Sequence, residues 1–169
     1  MNGMEINISN LSEGTHNYTL SEKAEKLGLS EIFFGDVKAE VSLESKRRQI
    51  LLHIVAEGKA NFQCDRCLKN ITKNIAATFY SVYEWEGERV NSEESNDNFY
   101  LLPLGTNIIN ISSDVNEYLA LAVPYKILCK EECAGLCPQC GKDLNVEQCT
   151  CEKEIDFRWN KLREIVSNQ

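Results

Sequence analysis

The fold follows from residues 36–62, which have the sequence DVKAEVSLESKRRQILLHIVAEGKANF. From 36 to 44 apolar and polar side chains alternate, and this period of two is typical of a half-buried β-strand. The polar run at 45–48 predicts a hairpin connection. Residues 49–62, rich in Ile, Leu and Val, predict a second, longer strand in which Gly58 is a candidate bulge or turn.

Further strands are predicted on both sides of this hairpin. Alternation returns at 70–83, and shorter apolar runs predict strands at 4–8, 99–104 and 108–111. Neighbouring strands with short connections pair most often as an antiparallel meander. The sequence therefore predicts an α+β fold whose core is an antiparallel β-sheet or half-barrel.

A few short helices complete this prediction. One is expected at 20–29, with Gly28 near its end, and a second begins at a cap formed by Ser112 or Ser113 and is stopped by Pro124. A third helix is expected at 156–166, where apolar residues follow helical spacing.

The composition is that of a soluble globular chain. With 169 residues, 43% hydrophobic and 26% charged, the chain is long enough to bury a core and favours one compact domain with a small appendage. It contains no apolar run of about 18 residues and no signal-peptide pattern at its start, so we expect a cytoplasmic protein that is not bound to a membrane. Neither do the residues predict a small-molecule substrate.

Charge is distributed unevenly along the chain. The net charge is −8, yet residues 36–80 carry +3, from eight basic and five acidic side chains. Residues 84–98 are polar and acidic and predict an exposed, flexible loop. A chain that is acidic overall can therefore still present a local basic surface to phosphates.

The eight cysteines lie in two places. Cys64 and Cys67 form a C-x2-C motif between two predicted strands, and six more lie within residues 129–151. The six are Cys129, Cys133, Cys137, Cys140, Cys149 and Cys151. Cytosolic thiols are kept reduced, and Zn²⁺ is bound by four thiolates at about 2.3 Å, so these residues are expected to be metal ligands.

Eight ligands supply two four-cysteine zinc sites. The shortest closure joins Cys137 and Cys140 to Cys149 and Cys151, which leaves Cys64 and Cys67 for Cys129 and Cys133. An alternative gives one zinc to residues Cys129, Cys133, Cys137 and Cys140. On the favoured pairing, residues 1–128 form the β-rich core domain, and 129–169 form a zinc-binding segment with a C-terminal helix, packed on that core.

Enzymatic interpretations have little support. A closed four-cysteine zinc site leaves no coordination position for a reacting water. The C-x3-C-x2-C spacing from Cys133 matches iron–sulfur radical enzymes, but only 29 residues follow Cys140, too few for their barrel. The two histidines, His16 and His53, lie in no catalytic metal motif, and no phosphate-binding glycine loop occurs. We therefore expect a protein without catalytic residues.

Several motifs together resemble the bacterial YceD family, the large ribosomal RNA subunit accumulation proteins. They are CDRCL (64–68), VPYKILC (123–129), CAGLCPQCGKDLN (133–145), CTC (149–151) and IDFRWNKL (155–162). The resemblance covers about residues 36–165. Phe157 stands where the family usually has proline, a residue suited to the first turn of a helix.

The resemblance implies a non-enzymatic factor that supports the accumulation, processing or assembly of large-subunit ribosomal RNA. Its partner would be that RNA or a pre-ribosomal particle. Candidate RNA contacts are the cations near the predicted sheet and first C-x2-C motif, namely Lys46, Arg47, Arg48, Arg66, Lys69 and Lys73. Tyr80, Tyr83 and Trp85 are candidates for stacking on unpaired bases. Ordinary surface charge and core packing are the alternative explanations for both sets.

Two other functions remain open. In the first, the acidic segment docks on a basic ribosomal protein, because opposite charges favour that encounter. Its acidic residues are Glu84, Glu86, Glu88, Glu93, Glu94 and Asp97. In the second, the cysteines act as a thiol or zinc redox sensor, which full zinc occupancy under a mild oxidant would contradict.

Overall fold

The computed structural model describes residues 4–86 and 98–151, together with Arg158 and Ile165. The chain divides into two compact units. The first unit comprises residues 1–63 and 70–127, and the second comprises residues 64–69 and 128–169. Among the described residues, no helix has the length and apolar character needed to cross a membrane.

The first unit is built from seven strands and one helix. They are β1 (Glu5–Asn7), β2 (Gly14–Lys23), β3 (Phe33–Lys46), β4 (Gln49–Gln63), β5 (Asn70–Trp85), β6 (Phe99–Leu102), β7 (Ile108–Asn110) and α1 (Ser112–Leu121). Five strands form a sheet in the order β2-β3-β4-β5-β6, and β1 pairs with β7 in a separate two-stranded sheet. The architecture is therefore sheet-dominated with one helix in the part of the chain that the structure describes.

The alternating pattern decides which face of the large sheet is buried. Along β3 to β5 every second side chain points into the core, and α1 adds Val115 and Leu119 to it. The buried apolar side chains of these three strands are Phe33, Val37, Ala39, Val41, Leu43, Ile50, Leu52, Ile54, Ala56, Ala60, Ile75, Ala77, Phe79 and Tyr83. Because a strand has a period of two, the other side chains form a second, solvent-facing surface, here called the outer face.

A partly buried polar contact joins α1 to this sheet. The Tyr100 hydroxyl donates to Asp114 Oδ1 at 3.0 Å, and the Ser81 hydroxyl donates to Asp114 Oδ2 at 3.4 Å. Burial and the negative charge of Asp114 raise the pKa of Tyr100 to about 12. Ser81, although buried, is thus hydrogen-bonded, as buried hydroxyls require.

The three long predicted strands are confirmed, and the structure extends each of them by one to three residues at one or both ends. β3 and β4 pair from Lys46 opposite Gln49, so the predicted connection is a two-residue turn at Arg47 and Arg48. The predicted irregularity at Gly58 is found on one side of β4 only. Gly58 pairs in register with Ile75 of β5, whereas the β3–β4 register shifts opposite it, between Phe34 and Lys38 on β3.

The predicted helix at 20–29 is wrong. Residues up to Lys23 belong to β2, which pairs along its whole length with β3, and turns follow. His16, Tyr18 and Leu20 are half-buried at every second position, so pairing with the edge of β3 outweighs the local preference for a helix.

Three further predictions need correction. The sheet is not wholly antiparallel, because β6 runs parallel to β5. Neither Ser112 nor Ser113 caps α1 with its side chain, although the sequence predicts such a cap. The Ser112 N–H instead donates to Asn110 Oδ1 at 2.9 Å. The predicted loop begins two residues too early, since Glu84 and Trp85 still belong to β5. The rest of that loop between 87 and 97, and the predicted helix at 156–166 apart from Arg158 and Ile165, lie outside the described residues.

Candidate metal centres

Two six-residue turns of the second unit, Cys64–Lys69 and Cys137–Lys142, have the same hydrogen-bond pattern. The N–H of the first cysteine donates to the carbonyl of the sixth residue, at 2.9 Å in one turn and 2.8 Å in the other. The N–H of the fifth residue donates back to the carbonyl of that cysteine at 2.9 Å in both. The fifth residue is left-handed in each, with φ +59° at Leu68 and +72° at Gly141. This repeated geometry turns each C-x2-C pair so that its sulfurs face the same side.

The backbone of each turn favours a thiolate at its first cysteine. The N–H groups of Cys67 and Arg66 point at Cys64 and lower its pKa to about 6, against the opposing effect of burial. The N–H groups of Cys140 and Gln139 lower the pKa of Cys137 to about 6 in the same way. Because the thiolate is the form that binds metals, both turns are prepared for a cation.

The eight sulfurs form two groups of four. The first sulfur group is Cys64, Cys67, Cys129 and Cys133, and the second sulfur group is Cys137, Cys140, Cys149 and Cys151. Within each group all sulfurs lie within 4.8 Å of one another. This is the division that the shortest closure of the sequence favours, and it separates the four cysteines of the alternative pairing into two groups.

The spacing of the sulfurs fits tetrahedral coordination. In the first group, Cys64 Sγ and Cys133 Sγ are 3.9 Å apart, and Cys67 Sγ and Cys129 Sγ are 3.6 Å apart. In the second group, Cys149 Sγ lies 3.5 Å from Cys140 Sγ and 3.4 Å from Cys137 Sγ. A tetrahedron with metal–sulfur bonds of about 2.3 Å has edges of about 3.8 Å. All eight are free thiols, since a disulfide would need sulfurs about 2 Å apart.

Four thiolates this close repel one another unless a cation lies among them. The neighbouring thiols of Cys149 and Cys140 raise the pKa of Cys151 to about 12, so this cysteine stays protonated without a counter-charge. A divalent metal ion supplies that charge and displaces the protons. The chemistry of both donor sets is therefore that of a closed metal site.

The two groups differ in their surroundings. In the first group Cys64, Cys67 and Cys133 are buried in a small cluster with Leu128, Leu136 and the half-buried Cys129. In the second group Cys140 and Cys151 are exposed to solvent. Exposure makes the second group more accessible to chelators and oxidants than the first.

Asn145 supports the first group from outside it, and sequence reasoning did not find it. Its side-chain amide donates to Cys133 Sγ at 3.4 Å and to Asp143 Oδ1 at 2.7 Å, while its Oδ1 accepts the Ala134 N–H at 2.9 Å. Asn145 lies in the loop that connects Cys140 to Cys149, so it ties the chain of the second group to a sulfur of the first. The sequence between Cys140 and Cys149 contains two side-chain amides, Asn145 and Gln148, and no pattern in it distinguishes Asn145.

We expect Asn145→Ala to weaken metal binding at the first sulfur group by roughly 10–100-fold, because it removes the hydrogen bond that orients Cys133. Competition with a chromophoric chelator measures this affinity directly. Val146→Ala, at an exposed neighbouring position, is the matched control and should leave the affinity unchanged. Equal affinities for Asn145→Ala and the wild type would contradict a supporting role.

Arg66 also braces this unit. Its Nη1 donates to the Cys133 carbonyl at 2.7 Å, and its own carbonyl accepts the Leu136 N–H at 3.2 Å. Gly135 lies against it with φ +76°, where an added Cβ would be 3.1 Å from the Arg66 carbonyl oxygen. A structural role therefore occupies part of the guanidinium of a predicted RNA contact.

The other predicted RNA contacts do not form one cluster. Within the first unit, Lys46, Arg47 and Arg48 are exposed at the β3–β4 turn, whereas half-buried Lys73 pairs with Ala60 towards the other end of β4. The strand between these positions is about 35 Å long at roughly 3.3 Å per residue. Lys46 Nζ also forms an ion pair with Glu44 at 3.2 Å. Lys69 belongs to the second unit, as does Arg66.

The three candidate stacking residues lie in different surroundings. Tyr83 is buried and stacks on Tyr100 with ring centroids 4.9 Å apart, and Trp85 packs half-buried against the core. Tyr80 alone of the three is exposed on the outer face, where its ring lies 4.6 Å from that of His53. Of the predicted acidic contacts, Glu84 and Glu86 are described, and Glu88, Glu93, Glu94 and Asp97 lie outside the described residues.

Comparison with known proteins places these features in a family. The sequence profile described as "Large ribosomal RNA subunit accumulation protein YceD" matches residues 52–166, a range that contains all eight cysteines. The chain belongs to the YceD family. The resemblance seen in the motifs is thereby confirmed for this YceD chain.

Curated relatives of this YceD chain are uncharacterized proteins of mycobacteria. One from Mycobacterium tuberculosis is 24% identical over 127 residues, which are 75% of this chain and 60% of the relative. One from Mycobacterium leprae is 24% identical over 133 residues, which are 78% of this chain and 59% of the relative. The chain thus spans about 60% of the length of these relatives. No solved structure matches it.

Proposed function

We propose that this chain is a non-enzymatic factor that supports the accumulation of large-subunit ribosomal RNA in the cytoplasm, through RNA processing or ribosome assembly. Membership of the YceD family carries this proposal. The closed arrangement of both sulfur groups agrees with it, because four protein ligands leave no position for a substrate or a reacting water. The metal sites then act by ordering the chain.

We infer that the metal is Zn²⁺, one ion in each sulfur group. Four thiolates in a tetrahedron are the donor set of structural zinc sites, and Zn²⁺ has no redox chemistry of its own. Each such site adds a net charge of −2, which takes the chain from −8 to about −12. A protein this acidic would touch RNA through limited basic surfaces and not by wrapping it.

The turn between β3 and β4 is the best supported of these basic surfaces. Lys46, Arg47 and Arg48 are consecutive and exposed. Lys46 also pairs with Glu44, and Arg47 and Arg48 can approach phosphates beside it. Arg66, Lys69 and Lys73 remain candidates for a separate contact. Arg66 is the weakest of them, because its guanidinium already binds the Cys133 carbonyl.

Deletion of the gene tests the proposed function. We expect the ratio of large- to small-subunit ribosomal RNA to fall in the deletion strain and to recover when the wild-type chain is expressed. A chain with Lys46→Glu, Arg47→Glu and Arg48→Glu should restore the ratio only in part, because the turn would then repel phosphates. Quantitative RNA analysis of the strains measures both effects.

A matched variant separates the turn from net charge. Lys23→Glu, Lys26→Glu and Lys38→Glu change the charge by the same amount at exposed positions of the first unit, and this chain should restore the ratio fully. An unchanged ratio in the deletion strain would refute the proposed function. Equal failure of both triple variants would refute the RNA contact at the turn alone.

A further inference from the structure

The outer face of the large sheet carries an apolar surface where β4, β5 and β6 lie side by side. Leu51 of β4 pairs with Val82 of β5, and Val82 pairs with Phe99 of β6, so the three side chains form one row across the sheet. The next row holds His53 and Tyr80, whose rings are in contact. Tyr80 is 55% exposed and Leu101, two residues after Phe99, is 49% exposed.

This surface, here called the β4–β6 patch, consists of Leu51, His53, Val55, Tyr80, Val82, Phe99 and Leu101. Tyrosine is among the residue types enriched in binding hot spots, and Tyr80 is exposed within this patch. Scattered exposed apolar residues are ordinary, but residues brought into adjacent rows by strand pairing form a continuous surface, which more often marks an interaction site.

Acidic side chains border the β4–β6 patch. Glu44 pairs with Leu51 and Glu40 with Val55 along β3, and Glu84 pairs with Leu101 at the end of β5. The cation in these rows, Lys46, is already paired with Glu44. The border of the patch is therefore net negative.

This charge selects among possible occupants. Stacking on Tyr80 and His53 would suit an unpaired base, but its phosphates would meet Glu40, Glu44 and Glu84, and like charges disfavour that complex. A polypeptide with Lys or Arg beside an aromatic or aliphatic side chain satisfies both the apolar surface and its acidic border.

We propose that the β4–β6 patch docks a basic polypeptide segment of a partner protein, with apolar anchors on Tyr80 and Leu101 and cations at Glu40, Glu44 and Glu84. The proposal specifies the chemistry of the partner's segment, basic and apolar side chains, and not its amino-acid sequence. This interaction goes beyond the proposed function, because it names a protein partner and places it on the outer face beside the basic turn, whose Lys46 pairs with Glu44.

Site-directed photo-crosslinking identifies the occupant in the full-length chain. Benzoylphenylalanine replaces Tyr80 in one strain and Tyr125, a fully exposed residue beyond α1, in a control strain. We expect irradiation to join position 80 to a Lys- and Arg-rich segment of one protein, and position 125 not to capture that segment. An RNA adduct, an adduct to a segment without basic residues, or no adduct at position 80 would overturn the proposal.

Binding of the captured segment as a synthetic peptide then tests the anchors. Tyr80→Ser and Leu101→Ser should each weaken its affinity for the purified chain about tenfold, as expected of central apolar contacts. Glu44→Gln with Glu84→Gln should weaken binding and reduce its dependence on salt. Leu121→Ser, at an exposed position on α1, is the control and should have no effect.

Unchanged affinity in the Tyr80→Ser and Leu101→Ser chains would also overturn the proposal. Because these variants lie on the surface, their melting temperatures should equal that of the wild type. The ratio of ribosomal RNAs in the deletion strain is measured independently, so failure of this docking surface and failure of the proposed function give different results.

Discussion

Removing the metal from the purified chain is expected to unfold the second unit and to leave the sheet of the first unit intact. The described part of the second unit contains one isolated β-bridge, between Leu136 and Asp143, and a small cluster around three buried cysteines. Such a cluster is too small to offset the loss of chain entropy. Structural zinc contributes roughly 10–16 kcal/mol of apparent binding free energy in finger peptides, so on the proposed function we expect the metal to be the main stabilising contribution here.

Hydrogen exchange with and without a strong chelator measures this effect. Amides of 64–69 and 128–151 should lose their protection when the metal is removed, and amides of β3, β4 and β5 should keep theirs. Adding zinc back should restore the protection. Protection in 128–151 that survives complete removal of the metal would contradict this prediction.

Two variants assign the ions to the two sulfur groups. The wild-type chain should contain two zinc ions, and Cys64→Ser or Cys137→Ser should each retain one, because each removes a ligand from a different group. Elemental analysis gives the metal content per chain. Two tightly bound ions in the Cys64→Ser chain would contradict the grouping of Cys64 with Cys129 and Cys133.

The second large effect is expected in the core of the first unit. Leu119→Ala should lower the free energy of unfolding by about 2–5 kcal/mol, because it removes a side chain that is 0% exposed and leaves a cavity between α1 and β4. The Leu119 side chain lies 3.7 Å from where a Cβ on Gly58 would be, so α1 packs directly against β4 at this point. Denaturant unfolding followed by circular dichroism measures the change.

Leu121→Ala provides the control on the same helix. Leu121 is 73% exposed, so the same change in chemistry should alter stability by less than about 0.5 kcal/mol. Similar losses for the two variants would mean that helix propensity, and not burial, determines the effect. Metal content should stay the same in both chains, because neither residue belongs to a sulfur group.

The sequence predictions were accurate where the structure depends on nearby residues, and inaccurate where it depends on residues far apart in the chain. The long strands were predictable because the alternation at 36–44 reports directly which side chains are buried. The stretch at 20–29 misled because its composition suits a helix, while a distant strand, β3, decides that residues up to Lys23 are extended. The parallel pairing of β6 with β5 was likewise invisible, because no local pattern encodes the direction of a neighbour.

The candidate sites divide in the same way. The number and spacing of the eight cysteines predicted that they are metal ligands. Both C-x2-C turns are local structures, so their form depends on a few neighbouring residues. Asn145 was missed because its contact with Cys133 spans twelve residues and depends on the path of the loop. The sequence predicted that the basic residues lie close together on or beside the sheet. In the structure, most of the length of β4 separates Lys73 from the β3–β4 turn.

Residue types and their spacing were thus enough to predict a β-rich chain with an alternating buried face and eight candidate metal ligands, whose pairing they left between two alternatives. Tertiary packing decided the rest. It joined Cys64 and Cys67 to Cys129 and Cys133 across 61 intervening residues, and it aligned β4, β5 and β6 so that Tyr80 and Leu101 share one surface. Periodicity and short turns depend on interactions within a few residues, whereas these contacts depend on which distant segments bury the most surface together.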